Sequence, residues 1–254
     1  MPRFFVAKEF IKTDTIYITG LEAHHILDVM RLKISDEVIV FDGTGREYTG
    51  IIKAANRKSL EVEIKKTRES DAGKTVFLTL IQAIPKKDKM DYIAEKATEL
   101  GVTRIIPVTT ARTIPEWNDA KKASVVGRWR KIAMEAAKQC GRADIPEIQP
   151  ITDFNAVVGA AARSGENDGK AARPHDLKLI AALSDKAIKL KDALKNGSGK
   201  KITVAIGPEG DFTPEEIGKA KNAGFRIISL GPRVLKSDTA GLALLSMVNY
   251  EYEN

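Results

Sequence analysis

The chain has 254 residues, 43% of them hydrophobic and 30% charged, so a core can form, a disordered composition is excluded, and two modest domains are expected. Its single cysteine rules out an internal disulfide framework, its three histidines show no metal-ligand spacing, and no apolar run approaches the roughly 18 residues of a membrane span. The net charge of +7 is uneven: residues 1–72 balance 12 basic against 12 acidic side chains, residues 73–150 carry 14 against 9, and residues 151–254 carry 15 against 13. A basic middle segment suits a polyanion such as RNA, and equally an ordinary solvated face. The opening MPRFFVAKEF has no apolar signal-type stretch, which sets a cytoplasmic location as the expectation.

In chain order, short strands are predicted at Thr15–Ile18, at Val38–Phe41 before an Asp42-Gly43 turn, and at Leu60, Val62 and Ile64, which alternate with charged residues. Thr19-Gly-Leu-Glu22 has capping-box spacing and predicts a helix running to about Leu32. After Ser70–Lys74, where a domain boundary is expected, the rhythm becomes β–α. Strands are predicted at Val76–Ile84, Arg104–Val108, near Ile148, and at Leu177–Leu183, Ile202–Ile206 and Arg226–Leu230. Helices are predicted at about Asp88–Leu100, Ala120–Gln139, Asp153–Ala162, Lys186–Leu194, Pro214–Ala223 and from Thr239. Such alternation implies an α/β domain with a mostly parallel sheet covered on both faces. Residues 164–176 read as a polar surface loop. The division expected is a small β domain at 1–72 and an α/β domain at 73–254.

In an open parallel sheet, ligands bind beyond the carboxyl ends of the strands, so the loops leaving them are the candidate site. Gly207-Pro-Glu-Gly-Asp-Phe212 follows one strand, with Thr213-Pro214-Glu215-Glu216 opening a helix behind it. By itself this is also what a well-made strand-to-helix turn looks like. It lacks the spacing of a Walker loop or of Gly-x-Gly-x-x-Gly, so nucleoside triphosphates are not implied. Leu230-Gly-Pro-Arg-Val-Leu235 leaves the last strand and runs into Lys236-Ser-Asp-Thr-Ala240.

These two strings together resemble the cofactor-binding core of the SPOUT methyltransferases, and more narrowly the RsmE family. The resemblance extends through Arg3-Phe4-Phe5, His24 to Arg31, Lys86-Lys87-Asp-Lys89, Glu95 to Gly101, and Glu135 to Arg142. It implies a PUA-like β-barrel followed by a methyltransferase domain whose C-terminal part threads a trefoil knot. It further implies a homodimer that uses S-adenosylmethionine to methylate N3 of uridine 1498 in 16S ribosomal RNA of the small subunit. A cofactor site is thereby expected at Leu183, at Ile206, Gly207, Pro208, Glu209 and Gly210, at Leu230, Gly231, Val234 and Leu235, and at Thr239 and Ala240.

Methyl transfer from a sulfonium needs in-line positioning and no metal. Uridine N3 carries a proton, so a cation that favours the anion, or a carboxylate that accepts the proton, is required. Arg142, Arg233, Lys236 and Asp238 are the candidates. Related sequences more often have arginine and glutamate where Lys236 and Asp238 stand, and lysine does not reproduce an arginine fork. RNA contacts are expected from Arg3, Arg31, Lys86, Lys87, Lys89 and Arg112, and from Glu135 and Gln139, which share a helix face with Arg142 if the helix continues. His24 and His25 are expected to pack or to hydrogen-bond, and Cys140 to be buried. Two alternatives stay open: a ribose 2′-O-methyltransferase of the same fold, and a non-catalytic RNA-binding assembly factor.

Overall fold

The computed structural model describes residues 1–56, 58–69, 76–114, 116–166, 176–195 and 201–252. The expected boundary at Ser70–Lys74 and most of the expected loop at 164–176 lie outside them. The chain divides into two compact units, Met1–Gly73 with Met134–Ile145, and Lys74–Ala133 with Pro146–Asn254.

The first unit is built on one five-stranded sheet from β1 (Arg3–Phe5), β2 (Thr15–Thr19), β3 (Glu37–Phe41), β4 (Arg46–Ala55) and β5 (Ser59–Glu69), in the order β1-β3-β4-β5-β2. Alternation decides its inner face: Ile16 and Ile18 of β2, Val38 and Val40 of β3, and Leu60 and Val62 of β5 form one core with Phe4 and Ile52. β4 has no counterpart among the sequence expectations. Its inward row is interrupted by Gly50, where a Cβ would lie 2.5 Å from Val62 and 2.6 Å from the Glu63 carbonyl. The ladder shifts register at that point.

Helix α1 (Gly20–His24) continues as a wider turn, His25–Val29. The expected capping box is not formed, because the Thr19 side chain makes no cap bond and Glu22 pairs instead with Lys138. The helix also stops short of Leu32, at Arg31 with φ +56°. His24 hydrogen-bonds Asp28 at 2.7 Å, and His25 stands edge-on to Phe4.

The second unit contains β6 (Phe77–Ala83), α2 (Lys89–Glu99), β7 (Arg104–Thr109), α3 (Asp119–Cys140), β8 (Glu147–Ile148), β9 (Thr152–Asp153) and α4 (Phe154–Glu166). There follow β10 (Asp176–Ala181), β11 (Ile188–Lys189), α5 (Leu190–Lys195), β12 (Lys201–Ile206), α6 (Pro214–Asn222), β13 (Arg226–Ser229) and α7 (Ser237–Tyr252). All strand pairs are parallel, in the order β11-β13-β10-β12-β6-β7-β8, with β9 on β7.

Neighbouring residues on each strand feed opposite faces. Leu80, Leu179 and Val204 join a core with α2, α3, α5 and α7, whereas Ile81, Ile180 and Ala205 join one with α4 and α6. The helix expected from Lys186 begins only at Leu190, because Ile188 is drawn into the sheet opposite Ile228. Cys140 is exposed, not buried: it is the last residue of α3, beyond the inward positions Ala133, Ala136 and Ala137. Among the described residues, no helix is long and apolar enough to cross a membrane.

Candidate functional site

Three parallel strands end side by side. Ala181 of β10, Ile206 of β12 and Ser229 of β13 are their last residues, and all three line a cleft of about 280 Å³. Its walls are the segments leaving those strands: Ala182-Leu183, Gly207 to Asp211, and Leu230 to Ser237, with Ala240 of α7 behind. The two glycine strings, more than twenty residues apart in sequence, meet because β13 pairs with β10 and β10 pairs with β12.

The walls are tied together by hydrogen bonds that span the chain. Gln82, fully buried at the end of β6, donates from Nε2 to the Ala83 carbonyl (2.9 Å) and to Ser237 Oγ (3.1 Å). Ser237 Oγ in turn donates to the Gly207 carbonyl at 2.6 Å. Since both carbonyls can only accept, every proton in this relay has an assigned direction. The N-terminus of α7 is thus fixed to the exit of β12.

Behind the first loop the capping box of α6 is complete: Glu216 N–H donates to Thr213 Oγ1 (3.2 Å), and Thr213 N–H donates to Glu216 (2.9 Å). Gly207 leaves little room for a side chain, since a Cβ would lie 3.2 Å from Asp211 Oδ1, from Phe212 Cδ2 and from the Phe212 amide nitrogen. Gly231 sits at φ +126°, a conformation open to glycine and to few other residues.

Most residues expected for a cofactor line the cleft: Leu183, Ile206, Gly207, Pro208, Glu209, Leu230, Gly231, Val234, Leu235 and Ala240. Gly210 and Thr239 adjoin it without lining it. Of the expected catalytic groups, Arg233 and Lys236 line the cleft and are exposed. Asp238, one residue into α7, has its Oδ1 3.7 Å from the Lys89 ammonium. Lys89 lies 3.2 Å from Glu209, which also accepts the Lys86 amide proton at 3.2 Å. Burial pushes the Glu209 carboxyl up, but its amide hydrogen bonds and Lys89 outweigh that and hold it below its ordinary value. Arg112 donates to the Gly210 carbonyl at 2.6 Å. Lys86, Lys89 and Arg112 therefore brace the glycine loop, and Lys87 is exposed at φ +60°.

The other expected residues belong to the first unit, and none lines the cleft. Arg142 is not on the face of α3 with Glu135 and Gln139, because the helix ends at Cys140 and Gly141 turns the chain at φ +84°. Its guanidinium pairs with Asp144 at 2.7 Å. Arg3 pairs with Glu47, donates to the Arg142 carbonyl and covers the Phe41 ring. Arg31, Glu135 and Gln139 are exposed. Sequence reasoning missed Gln82, and it placed Asp211 in a loop around the cofactor without giving it a role. The first is a polar residue in an otherwise apolar strand, a signal without a partner until Ser237 is brought beside it. Among the described residues, no group of His, Cys, Asp or Glu is arranged to hold a metal ion.

The family model for an RNA methyltransferase domain matches residues 73–249, and that for an RNA methyltransferase PUA domain matches residues 18–65. The chain is 28% identical to the ribosomal RNA small subunit methyltransferase E of Bacillus subtilis, covering 100% of this chain and 98% of that one. It is 30% identical to the protein of that name from Synechocystis sp., over 97% and 77% of the two chains. The crystal structure of a ribosomal RNA small subunit methyltransferase E from Neisseria gonorrhoeae bound to S-adenosyl methionine superimposes with a TM-score of 0.81 at 30% identity, covering 98% of this chain and 97% of that one. The chain belongs to the RNA methyltransferase family, and within it to the ribosomal RNA small subunit methyltransferase E group.

Proposed function

We propose that this enzyme transfers the methyl group of S-adenosylmethionine to N3 of uridine 1498 in 16S ribosomal RNA. The observation that carries the reading is the cleft at the strand exits, walled by two glycine loops locked to α7. It supports a nucleoside-type donor in two ways. Leu183 and Val234 at its rim are 68% and 74% exposed, apolar surface that a flat base would cover. At Gly207 the main chain itself is the wall, so a ligand meets backbone and not side chain.

When bound, S-adenosylmethionine supplies an electrophilic methyl group on a sulfonium. The protein's share is then to hold the acceptor in line and to manage the N3 proton. We assign Arg233 and Lys236, the cations at the mouth, to stabilising the N3 anion. Asp238, whose Oδ1 is buried without a hydrogen-bond partner among the described residues and lies 3.7 Å from the Lys89 ammonium, is assigned to accept the proton.

We further infer that the first unit, with Arg31, Glu135 and Gln139 exposed, contributes to RNA binding, that the enzyme acts as a homodimer, and that it works in the cytoplasm. We also infer the trefoil threading: after β13 the chain returns past the exits of β10 and β12, and α7 packs on β12, β6 and α2.

The test is incubation with methyl-labelled S-adenosylmethionine and small subunits lacking the modification, followed by digestion to nucleosides. Labelled 3-methyluridine is expected. Labelled 2′-O-methylnucleoside alone would make it a ribose methyltransferase, and RNA binding without transfer would make it an assembly factor.

A further inference from the structure

Asp211 holds a backbone conformation that glycine adopts freely and aspartate adopts at a cost, φ +61°, in a wall of the cleft. Aspartate tolerates it better than most residues do, because its short carboxylate can accept a nearby main-chain amide proton. The carboxylate accepts the Phe212 amide proton at Oδ1 (2.8 Å) and the Leu183 amide proton at Oδ2 (3.0 Å), so it is pinned between the glycine loop and the exit of β10. Its Oδ1 is one of the atoms that would crowd a Cβ on Gly207, at 3.2 Å.

A water molecule or a neutral acceptor could satisfy two amide protons. A carboxylate adds negative charge, and here that charge has no cationic side chain against it among the described residues. The other carboxylate lining the cleft, Glu209, is already met by Lys89. We propose that Asp211 is the counter-charge for the sulfonium of the donor, a specificity residue that favours the positively charged cofactor over its neutral thioether product. This rests on the cofactor reading above.

The charge is lost as the methyl group leaves, so such a contact strengthens donor binding and product exchange without lowering the chemical barrier. A variant lacking it should show a raised KM for the donor and an undiminished kcat.

The experiment is calorimetric titration of the wild type, Asp211→Asn and Asp211→Gly with three probes: S-adenosylmethionine, S-adenosylhomocysteine, and sinefungin, whose ammonium replaces the sulfonium. Roughly three- to tenfold weaker binding of the two charged probes is expected in both variants, the range of one partly screened charge pair. S-adenosylhomocysteine should change less than about twofold. Both variants also disturb the two amide bonds, so a mere change of loop geometry would weaken all three probes alike, and only a loss confined to the two charged probes reads the counter-charge. An equal fall for all three probes, or no fall, overturns the assignment and leaves the cofactor reading standing. Failure of the wild type to bind any of the probes overturns both.

Discussion

Replacing Gly207 by valine is expected to weaken cofactor binding by roughly two orders of magnitude while the protein remains folded. The constraint comes from three sides: an oxygen of the pinned Asp211 carboxylate, the ring edge of buried Phe212 and the Phe212 main-chain nitrogen all stand 3.2 Å from where a Cβ would be. The carboxylate is held by two amides and the ring packs against Phe154 at 4.5 Å, so neither moves aside cheaply. Relief has to come from the loop backbone, which is itself the wall of the cleft. Overpacking of this kind costs about 1–3 kcal/mol, roughly 5- to 150-fold in a binding constant if the cost falls on the bound geometry. Alanine should lie near the bottom of that range and valine at or beyond its top. Titration with S-adenosylhomocysteine, with far-ultraviolet circular dichroism as the folding control, decides it. Near-wild-type affinity of the valine variant would show that this loop does not contact the ligand.

The largest expected effect on stability is at Trp129. This side chain of α3 is 1% exposed, its indole N–H donates to Asp91 of α2 at 3.0 Å, and its ring lies 6.3 Å from that of Trp117. It fixes α3 to α2 beneath the sheet that carries the cleft. Trp129→Ala should cost about 3–5 kcal/mol through lost burial and the cavity left behind. Asp91 would keep Arg128 as a partner at 2.9 Å, so the carboxylate is not stranded. Urea unfolding at constant slope checks this, with Trp129→Phe as the milder variant. A loss below about 1 kcal/mol would mean that the site collapses freely or that the ring is not a core element.

The second unit was legible in the sequence because its buried parallel strands are short apolar runs, such as Lys201–Ile206, set between helices with recognisable ends. Thr213 and Glu216 form the capping box that their spacing predicts. The identical spacing at Thr19 and Glu22 forms no box: Gly20 stands at φ +66°, Thr19 makes no cap bond, and Glu22 pairs with a lysine more than a hundred residues later. The two sites share the Thr-x-x-Glu spacing but not the residue after the threonine, and a proline at the first helical position presets the turn that a glycine at positive φ does not. β4 was hidden for a different reason: Gly50 breaks its inward apolar row, and only the closeness of Val62 and of the Glu63 carbonyl explains why a glycine stands there.

The candidate site was legible to the extent that strand exits converge. Once the strands are parallel and adjacent, their loops share a cleft, and both glycine strings fall within it. Within those loops, Leu183, Val234, Arg233 and Lys236 were singled out through the resemblance to a known family. The roles of Gln82 and Asp211 were not legible, because they depend on Ser237, Leu183 and Gly207, which the fold brings to them. Lys89 and Arg112 had the expected charge, but here they brace the glycine loop through Glu209 and Gly210.

Electron density from crystals grown with S-adenosylmethionine tests the central claim most directly. The donor is expected between Leu183, the Gly207–Asp211 loop and the Leu230–Ala240 segment, with its sulfonium facing Asp211 and its methyl group open to the side of Arg233 and Lys236. Density for the donor elsewhere on the molecule, with this cleft left to solvent, would contradict the account.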